Sequence, residues 1–428
     1  MRSWLFCLAS GGAMLVASSG WAEALSLETV VKTALARNER AGIAEQSVVS
    51  ADAAVTKARS AFLPSVNLSA GETLRPQEVQ SAGRVVLRDN AGSAQLTVSE
   101  SLFNASAFPL YAAAKHSYEA SRFTHVDARR QLAFDAARSF FAVVAQQRVL
   151  TAAKSRLDLA NATLDDTRVR ASSGLVSSND VTRSEIERAS ADQSSINASN
   201  SLEAARLNLE YLIASPTEIQ EDLASPAQSL APADRGLPGL VNLAIATRPD
   251  LSALRASAAS ASAQADEPRL RFVPTLTAAA QARATDQPIA PNRYIDTTLA
   301  INFNWAIWDG GNRTGDSDSR NAARIATELQ LRALARRVEI DVRVAVAELS
   351  AARNSLVAAE QGQDAARRSE AETTVLYKQG LAKAIELVNG NSSKFEAEVA
   401  VAAAELGVRL AELDLRAAVG LFPLDGVQ

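Results

Sequence analysis

The chain has 428 residues, a formal net charge of −4, 47% hydrophobic and 21% charged side chains, and only 5% aromatic ones. That balance excludes a disordered tail and a bundle of membrane-crossing helices, and the slight acidic excess argues against nucleic acid as a partner. One Cys and two His are too few for a structural zinc site or a disulfide framework, while abundant Ala and Ser suit close-packed helices.

Residues 1–24 read as an export leader. Arg2 supplies the positive start, Trp4 to Val16 the apolar stretch, and Ala22 or Ala24 a small-residue cleavage site. Cys7 lies inside this segment, so the mature chain is expected to carry no thiol. No later stretch of about 18 apolar residues offers a helical anchor.

The remainder is written twice. A first repeat, 25–214, opens with an Ala-rich helical stretch around Ala34 to Ala61. It continues through Phe62-Leu63-Pro64 into alternating segments at Ser65 to Ala70 and Ala94 to Asn104. A second repeat, 239–428, opens with a helical stretch around Leu240 to Ala265. It passes Phe272-Val273-Pro274 into segments at Thr275 to Ala280 and Leu299 to Asp309. A long helical stretch follows in each, broken at Ser173-Gly174-Leu175 and at Gln379-Gly380-Leu381. The interval from Phe103 to Gly174 is within one residue of that from Trp308 to Gly380. Between the repeats, 215–238 is rich in Pro, Ser and Asp and reads as a surface connection.

The four short segments alternate with period two. Val66, Leu68 and Ala70 oppose Ser65, Asn67 and Ser69; Leu96 and Val98 oppose Gln95, Thr97 and Ser99. Leu276, Ala278 and Ala280 oppose Thr275, Thr277 and Gln281; Leu299, Ile301, Phe303 and Trp305 oppose Thr298, Asn302 and Asn304. Each is about 10 residues, the span of a tilted transmembrane strand. Two hairpins alone fit a half-buried sheet in a soluble domain equally well. If they sit in lipid, four strands cannot close a pore and several chains must share one barrel. Phe103, Trp305 and Trp308 at strand ends suit an interfacial aromatic girdle, a role with no signal at Phe108.

The helical stretches are too long for a globule. Leu334, Val338, Val342, Ala345, Leu349, Ala352, Leu356 and Ala359 step by three and four. Leu150, Ala153, Leu157, Ala160 and Leu164 repeat that seam in the first half. About 70 helical residues extend roughly 105 Å. Each Gly-Leu marks a hairpin tip, because the pattern resumes through Ile186 to Ile213 and Ile385 to Val419. An exported stalk of antiparallel coiled coil is the plainer reading of these helices.

In this order the pieces resemble the TolC family of outer-membrane efflux and secretion channels, over essentially the whole mature chain. The resemblance rests on Phe62-Leu63-Pro64, Phe272-Val273-Pro274, Arg248-Pro249-Asp250-Leu251, Trp308-Asp309-Gly310-Gly311 and the two tips. It implies a mainly helical chain with a small β part, in which duplicated long-helix hairpins form a trimeric α-barrel tunnel. That tunnel is topped by a 12-stranded transmembrane β-barrel with four strands per chain. It further implies an outer-membrane location extending into the periplasm of a Gram-negative cell, a periplasmic adaptor and an inner-membrane transporter as partners, and no cofactor or active site. Drugs or secreted proteins, including type I secretion substrates, are the implied cargo.

By the same resemblance Gly174, Leu175 and Val176, with Gly380 and Leu381, correspond to tips on which adaptors dock; Ser173 stands where the family tip has Val. Tyr377 corresponds to a Tyr of the closed entrance, Asp180 to the acceptor of its basic tie, and Glu386 to an acidic ring. The basic position holds Ala382, with Lys383 one place on, and the second acidic position holds Asn389. The residues alone read Glu386, Asp180 and Lys383 as solvated helix positions. In the first repeat Asn104-Ala105-Ser106 replaces Asp309-Gly310-Gly311.

No phosphate loop, nucleophile elbow or HExxH sequence is present, and His116 and His125 lie too far apart on one helix to share a metal. Asp309-Gly310-Gly311 through Asp316 is a single copy of a calcium-repeat-like pattern and reads as a turn. Two functions follow: a trimeric export channel, or a periplasmic coiled-coil adaptor or structural protein without a pore. An adaptor needs no strands of membrane-spanning length, which is what separates them.

Overall fold

A computed structural model describes residues 26–81, 84–87, 89–214, 229–232, 235–286 and 293–426. The expected leader and most of the 215–238 connection lie outside the described residues. The same sequence of elements occurs twice, with two extra short strands in the first half. The first half holds α1 (Leu27–Arg37), α2 (Glu39–Arg59), β1 (Ser65–Leu74), β2 (Val79–Ser81), β3 (Arg84–Leu87), β4 (Asn90–Phe103), α3 (Ala107–Ser172) and α4 (Ser178–Ile213). The second holds α5 (Gly236–Thr247), α6 (Pro249–Leu270), β5 (Thr275–Thr285), β6 (Ile295–Asn304), α7 (Asn312–Lys378) and α8 (Ala384–Val419). None of the described helices is long and apolar enough to cross a membrane.

Each opening helical stretch, expected to be continuous, is two helices. Asn38 leaves the α region at φ −71°, ψ 133° and caps α2 by accepting from the Arg40 N–H at 3.0 Å. Its amide also donates to the Leu212 carbonyl at 2.9 Å, tying the break to the end of α4. The matching break is at Arg248, held extended at ψ 118° by the following Pro249, which starts α6. Arg248 pairs with Asp250 at 2.6 Å and with Asp341 of α7 at 3.1 Å. Burial works against the Asp250 charge. The hydrogen bonds and charge of Arg248, with the Leu251 N–H and the Arg130 charge, outweigh it and hold the carboxyl below its ordinary 3.8. α5 starts at Gly236, inside the segment expected to be a surface connection.

Strands β1, β4, β5 and β6 form one antiparallel sheet in that order, and β2 with β3 makes a small hairpin between β1 and β4. The register aligns Val66, Val98, Ala280 and Leu299 across all four strands, so these share one face. One residue over, Asn67, Thr97, Gln281 and Thr298 share the other. The expected alternation thus becomes one apolar and one polar face. The apolar face is bare: Leu68 is 71%, Leu299 78% and Ile301 67% exposed. In the register Phe103 lies opposite Leu276 past an irregularity after Ser101.

The helices pack side by side, α2 beside α3, α3 beside α4, α6 and α8, and α7 beside α6 and α8. Burial concentrates at the level of α1 and α5. One core joins α1 to mid-α3 and the end of α4, with Phe140 and Leu209 fully enclosed; the other joins α5 to Val338, Val342 and Ala345 of α7 and Leu415 of α8. Each such Val, Leu or Phe side chain taken from water contributes about 2 kcal/mol. The seam expected from the sequence is the buried one at Val338, Val342, Ala345 and Leu349, and at Ala153, Ala160 and Leu164.

Where sheet meets helices, the two halves make one contact with different chemistry. In the first, Phe62 packs on Phe108 with centroids 5.1 Å apart and edge-on to Tyr111 at 6.0 Å, and Lys115 sits 4.9 Å from the Tyr111 ring. Phe108, without signal in the sequence, is thereby part of the aromatic set at this end of the sheet. In the second, Arg313 lies 4.0 Å over the Phe272 ring and bonds Asp309 at 2.8 Å. Beside it Glu267, 3% exposed, is held by Arg271 at 2.6 Å and Arg320 at 2.8 Å, and Arg271 also reaches Asp316 at 2.7 Å.

Candidate functional site at the helical tips

The two long hairpins turn in the same way. In the first, Gly174 at φ +70° ends α3 and the Leu175 N–H returns to the Arg170 carbonyl at 2.9 Å. In the second, Gly380 at φ +76° ends α7 and the Leu381 N–H returns to the Leu376 carbonyl at 2.9 Å. This six-to-one return needs a left-handed residue, which is why Gly stands at both tips. It pushes Leu175 and Leu381 into solvent, 74% and 73% exposed, while Val176 is half-buried.

Within the chain Asp180 belongs to the cap of α4. Ser177 caps α4, and the Asp180 carboxylate accepts from the Ser177 N–H at 3.1 Å and its hydroxyl at 2.8 Å. The Asp180 N–H returns to Ser177 Oγ at 3.2 Å, completing a reciprocal cap that the positive helix end favours. Lys383, exposed at the mouth of α8, has no ion-pair partner within the described residues. Glu386 is exposed and accepts from the Lys383 backbone N–H at 3.4 Å; Asn389 is exposed one turn on.

Tyr377 is the expected residue that the fold does engage. It is only 5% exposed, against Ala384, Leu387 and Ala382. Its ring and carbonyl face α3 rather than Asp180. Thr167 donates its hydroxyl hydrogen to the Thr163 carbonyl at 2.7 Å, so the Tyr377 hydroxyl donates to Thr167 Oγ1 at 3.2 Å. Ser184 of α4 reaches the same Thr167 oxygen at 3.3 Å. Arg170 lies 4.7 Å from the Tyr377 ring centroid and donates to the Tyr377 carbonyl at 3.2 Å, while Asp166 holds its Nε at 2.8 Å. The sequence alone does not single out Thr167, Ser184 or Arg170. The signal available was that Thr167, Arg170 and Gly174 step by three and four along one helix face.

Among the described residues no group of three or more His, Cys, Asp or Glu is placed to hold a metal ion. At the opposite end of the helices, Phe103, Trp305 and Trp308 are 45%, 53% and 82% exposed. The Trp305 indole donates to the Phe272 carbonyl at 3.0 Å, fixing one of these rings beside the junction.

No curated protein sequence matches the chain. Among solved structures, the CmeC outer-membrane channel of Campylobacter jejuni superposes with a TM-score of 0.82 at 16% identity, covering 92% of this chain and 85% of that one. VceC, an outer-membrane protein of Vibrio cholerae, superposes at 0.77 with 18% identity, covering 93% and 97%. The MtrE outer-membrane channel of Neisseria gonorrhoeae, in its open state, superposes at 0.72 with 19% identity, covering 92% and 89%. These likenesses establish the fold. The family profile described as Outer membrane efflux protein matches residues 30–215 and again 240–421, once for each half of the molecule. The chain is therefore a member of the outer membrane efflux protein family.

Proposed function

We propose that three copies of this chain assemble into an outer-membrane channel, the exit duct of a tripartite exporter completed by a periplasmic adaptor and an inner-membrane transporter. The observation that carries this reading is the sheet. It has an exposed apolar face, a polar face, and outer edges on β1 and β6 with no strand partner among the described residues. In lipid such edges must be paired, and four strands are too few to enclose water. Twelve strands from three copies satisfy both demands. The exposed surface of 26282 Å² supports the same reading, against roughly 16,000 Å² for a compact monomer of this length.

In this assembly the repeats 25–214 and 239–428 contribute equivalent walls. The exposed Leu175 and Leu381 tips, with Gly174, Val176 and Gly380, are the docking surface for the adaptor. Tyr377, Lys383, Glu386, Asn389 and Asp180 lie about the entrance, where three copies of Glu386 focus negative potential and favour cations. Reconstitution in a planar bilayer tests the reading. Discrete conductance steps from material that crosslinks to a trimer are expected, and Glu386→Ala lowers cation selectivity. A protein that stays monomeric without detergent and conducts nothing would refute it. Unchanged reversal potentials in Glu386→Ala would remove that residue alone.

A further inference from the structure

Charge on the polar face of the sheet is confined to one row. On β5 that face carries Thr277, Gln281 and Thr285, and on β6 Thr298, Asn302 and Asn304. The aligned positions of β1 and β4 hold only Ser, Thr, Asn, Gln, Gly and Ala. The exceptions are Arg283 and Asp296, which the register sets directly opposite each other, in the row of Ser69 and Gln95. That row lies near the end of β5 and the start of β6, on the side of the sheet away from the helices. Opposite charges so placed would ordinarily pair. Here Arg293 takes the Asp296 carboxylate at 3.1 Å and also donates to the Ile295 carbonyl at 3.2 Å. Gln95, next in the row, gives its amide to Thr97 at 3.2 Å. Arg283 is left exposed, with no ion pair among the described residues.

We propose that Arg283 is a specificity-determining residue of the exit: in the assembled channel its copies form a ring of cations at the outer end of the lumen, which favours anions there. The proposal rests on the channel reading above, which turns the polar face inward.

The physical argument is one of an uncompensated charge on a neutral wall. Arg283 and Arg293 face a single carboxylate, so each chain brings a positive surplus to this row. Hydroxyls and amides line the rest of the described face, so nothing nearby on it offsets the ring. A ring of like charges sets which ions gather inside a narrow passage. Glu386 lies beyond the far end of α7, whose 67 residues extend about 100 Å. That is about ten Debye lengths at 0.1 M salt, so entrance and exit act independently. Cations collect at one end and anions at the other. Cargo bearing carboxylate or phosphate groups is the class this exit favours.

The test uses the full-length channel in planar bilayers under KCl gradients, reading the anion-to-cation permeability ratio from the reversal potential. At about 10 mM salt, where the Debye length is about 30 Å, Arg283→Ala is expected to lower that ratio about threefold, and Arg283→Lys to keep it. Asp296→Asn removes the carboxylate, frees Arg293 and moves the ratio the opposite way. At about 1 M salt, where the Debye length is about 3 Å, the variants and the wild type converge. Should Arg283→Ala fail to assemble, Arg283→Gln takes its place. Equal ratios in the wild type and the neutral variant at low salt overturn the ring and leave the channel reading standing, since that reading needs only conductance from a trimer. A wild type that conducts nothing overturns both.

Discussion

The two places where strand gives way to long helix occupy equivalent positions, yet one is built on packed rings with Lys115 against one of them and the other on ion pairs. Phe62 meets Phe108 in the first half; Phe272 meets Arg313 in the second. Tyr111 and Lys115 are answered by Asp316 and Arg320, and Asn104 by Asp309. The same division recurs at the helix breaks, where Asn38 serves the first half and Arg248 with Asp250 and Asp341 the second. The helix ends differ in another way, since Ala214 is left-handed at φ +49° after α4 where Gly420 is at φ +87° after α8. A residue at the strand entrance must rest on the first turn of the long helix. That is a geometric demand, and a ring pair or a cation over a ring meets it equally.

Substitutions can break this correspondence. The largest effect is expected for Gly420→Ala. Its Cβ would lie 2.8 Å from the Arg248 backbone nitrogen in a left-handed conformation, a loss of about 3 kcal/mol in chemical denaturation of the solubilised protein. A change within experimental error would mean that the Arg248 break yields freely. Glu267→Ala leaves Arg271 and Arg320 without their shared partner. Since those side chains are 33% and 30% exposed and can rehydrate, about 2 kcal/mol is expected rather than a full buried-pair loss. Phe62→Leu, at the first-half junction, should cost about 1 kcal/mol, and the ionic junction is the softer one if the order reverses.

Gly311→Ala should cost about 1 kcal/mol because φ is +92°, whereas Ser106→Gly, at φ −71° in the matching cap, should change little. Ala214→Gly should stabilise by about 0.5 kcal/mol, the only expected gain in this set, seen as a higher denaturation midpoint.

Acid sharpens the same comparison. The folded Asp250 carboxyl is held below 3.8, so its stabilisation is complete above that pH and is lost as pH falls through the folded value. Hydrogen exchange, corrected for intrinsic rates, should show the α5–α6 break opening below pH 3.8. The Asn38 break, whose neighbouring Arg40–Asp135 pair is 47% and 37% exposed and so contributes little, should change less over the same range. Equal opening of both would place the acid response elsewhere.

Most of the architecture was legible because it is periodic. Alternation at Val66 to Ala70 and Leu299 to Phe303 reports a two-faced sheet directly, and the stepping of Val338, Val342 and Ala345 reports the buried seam. The break at Arg248 carried a readable signal in Pro249; that at Asn38 did not, because a polar residue inside an Ala-rich run is compatible with an unbroken helix. The Gly-Leu tips were legible because only Gly takes the turn cheaply. The partners of Tyr377 were not, since Thr167 and Arg170 reach it only after helices distant in sequence are docked. The helix cap that Asp180 makes with Ser177 three residues earlier was readable in the Ser-x-x-Asp spacing.

The sheet order has a consequence for biosynthesis. Its middle seam joins β4 to β5, with Leu96 opposite Ala282, so the inner strands come from opposite halves of the polypeptide. An emerging first half can make its helical hairpin and the β1–β4 ladder, but nothing more of the sheet. Assembly in the membrane must then wait for export of the entire chain, and the slow step is this late, long-range pairing rather than helix growth.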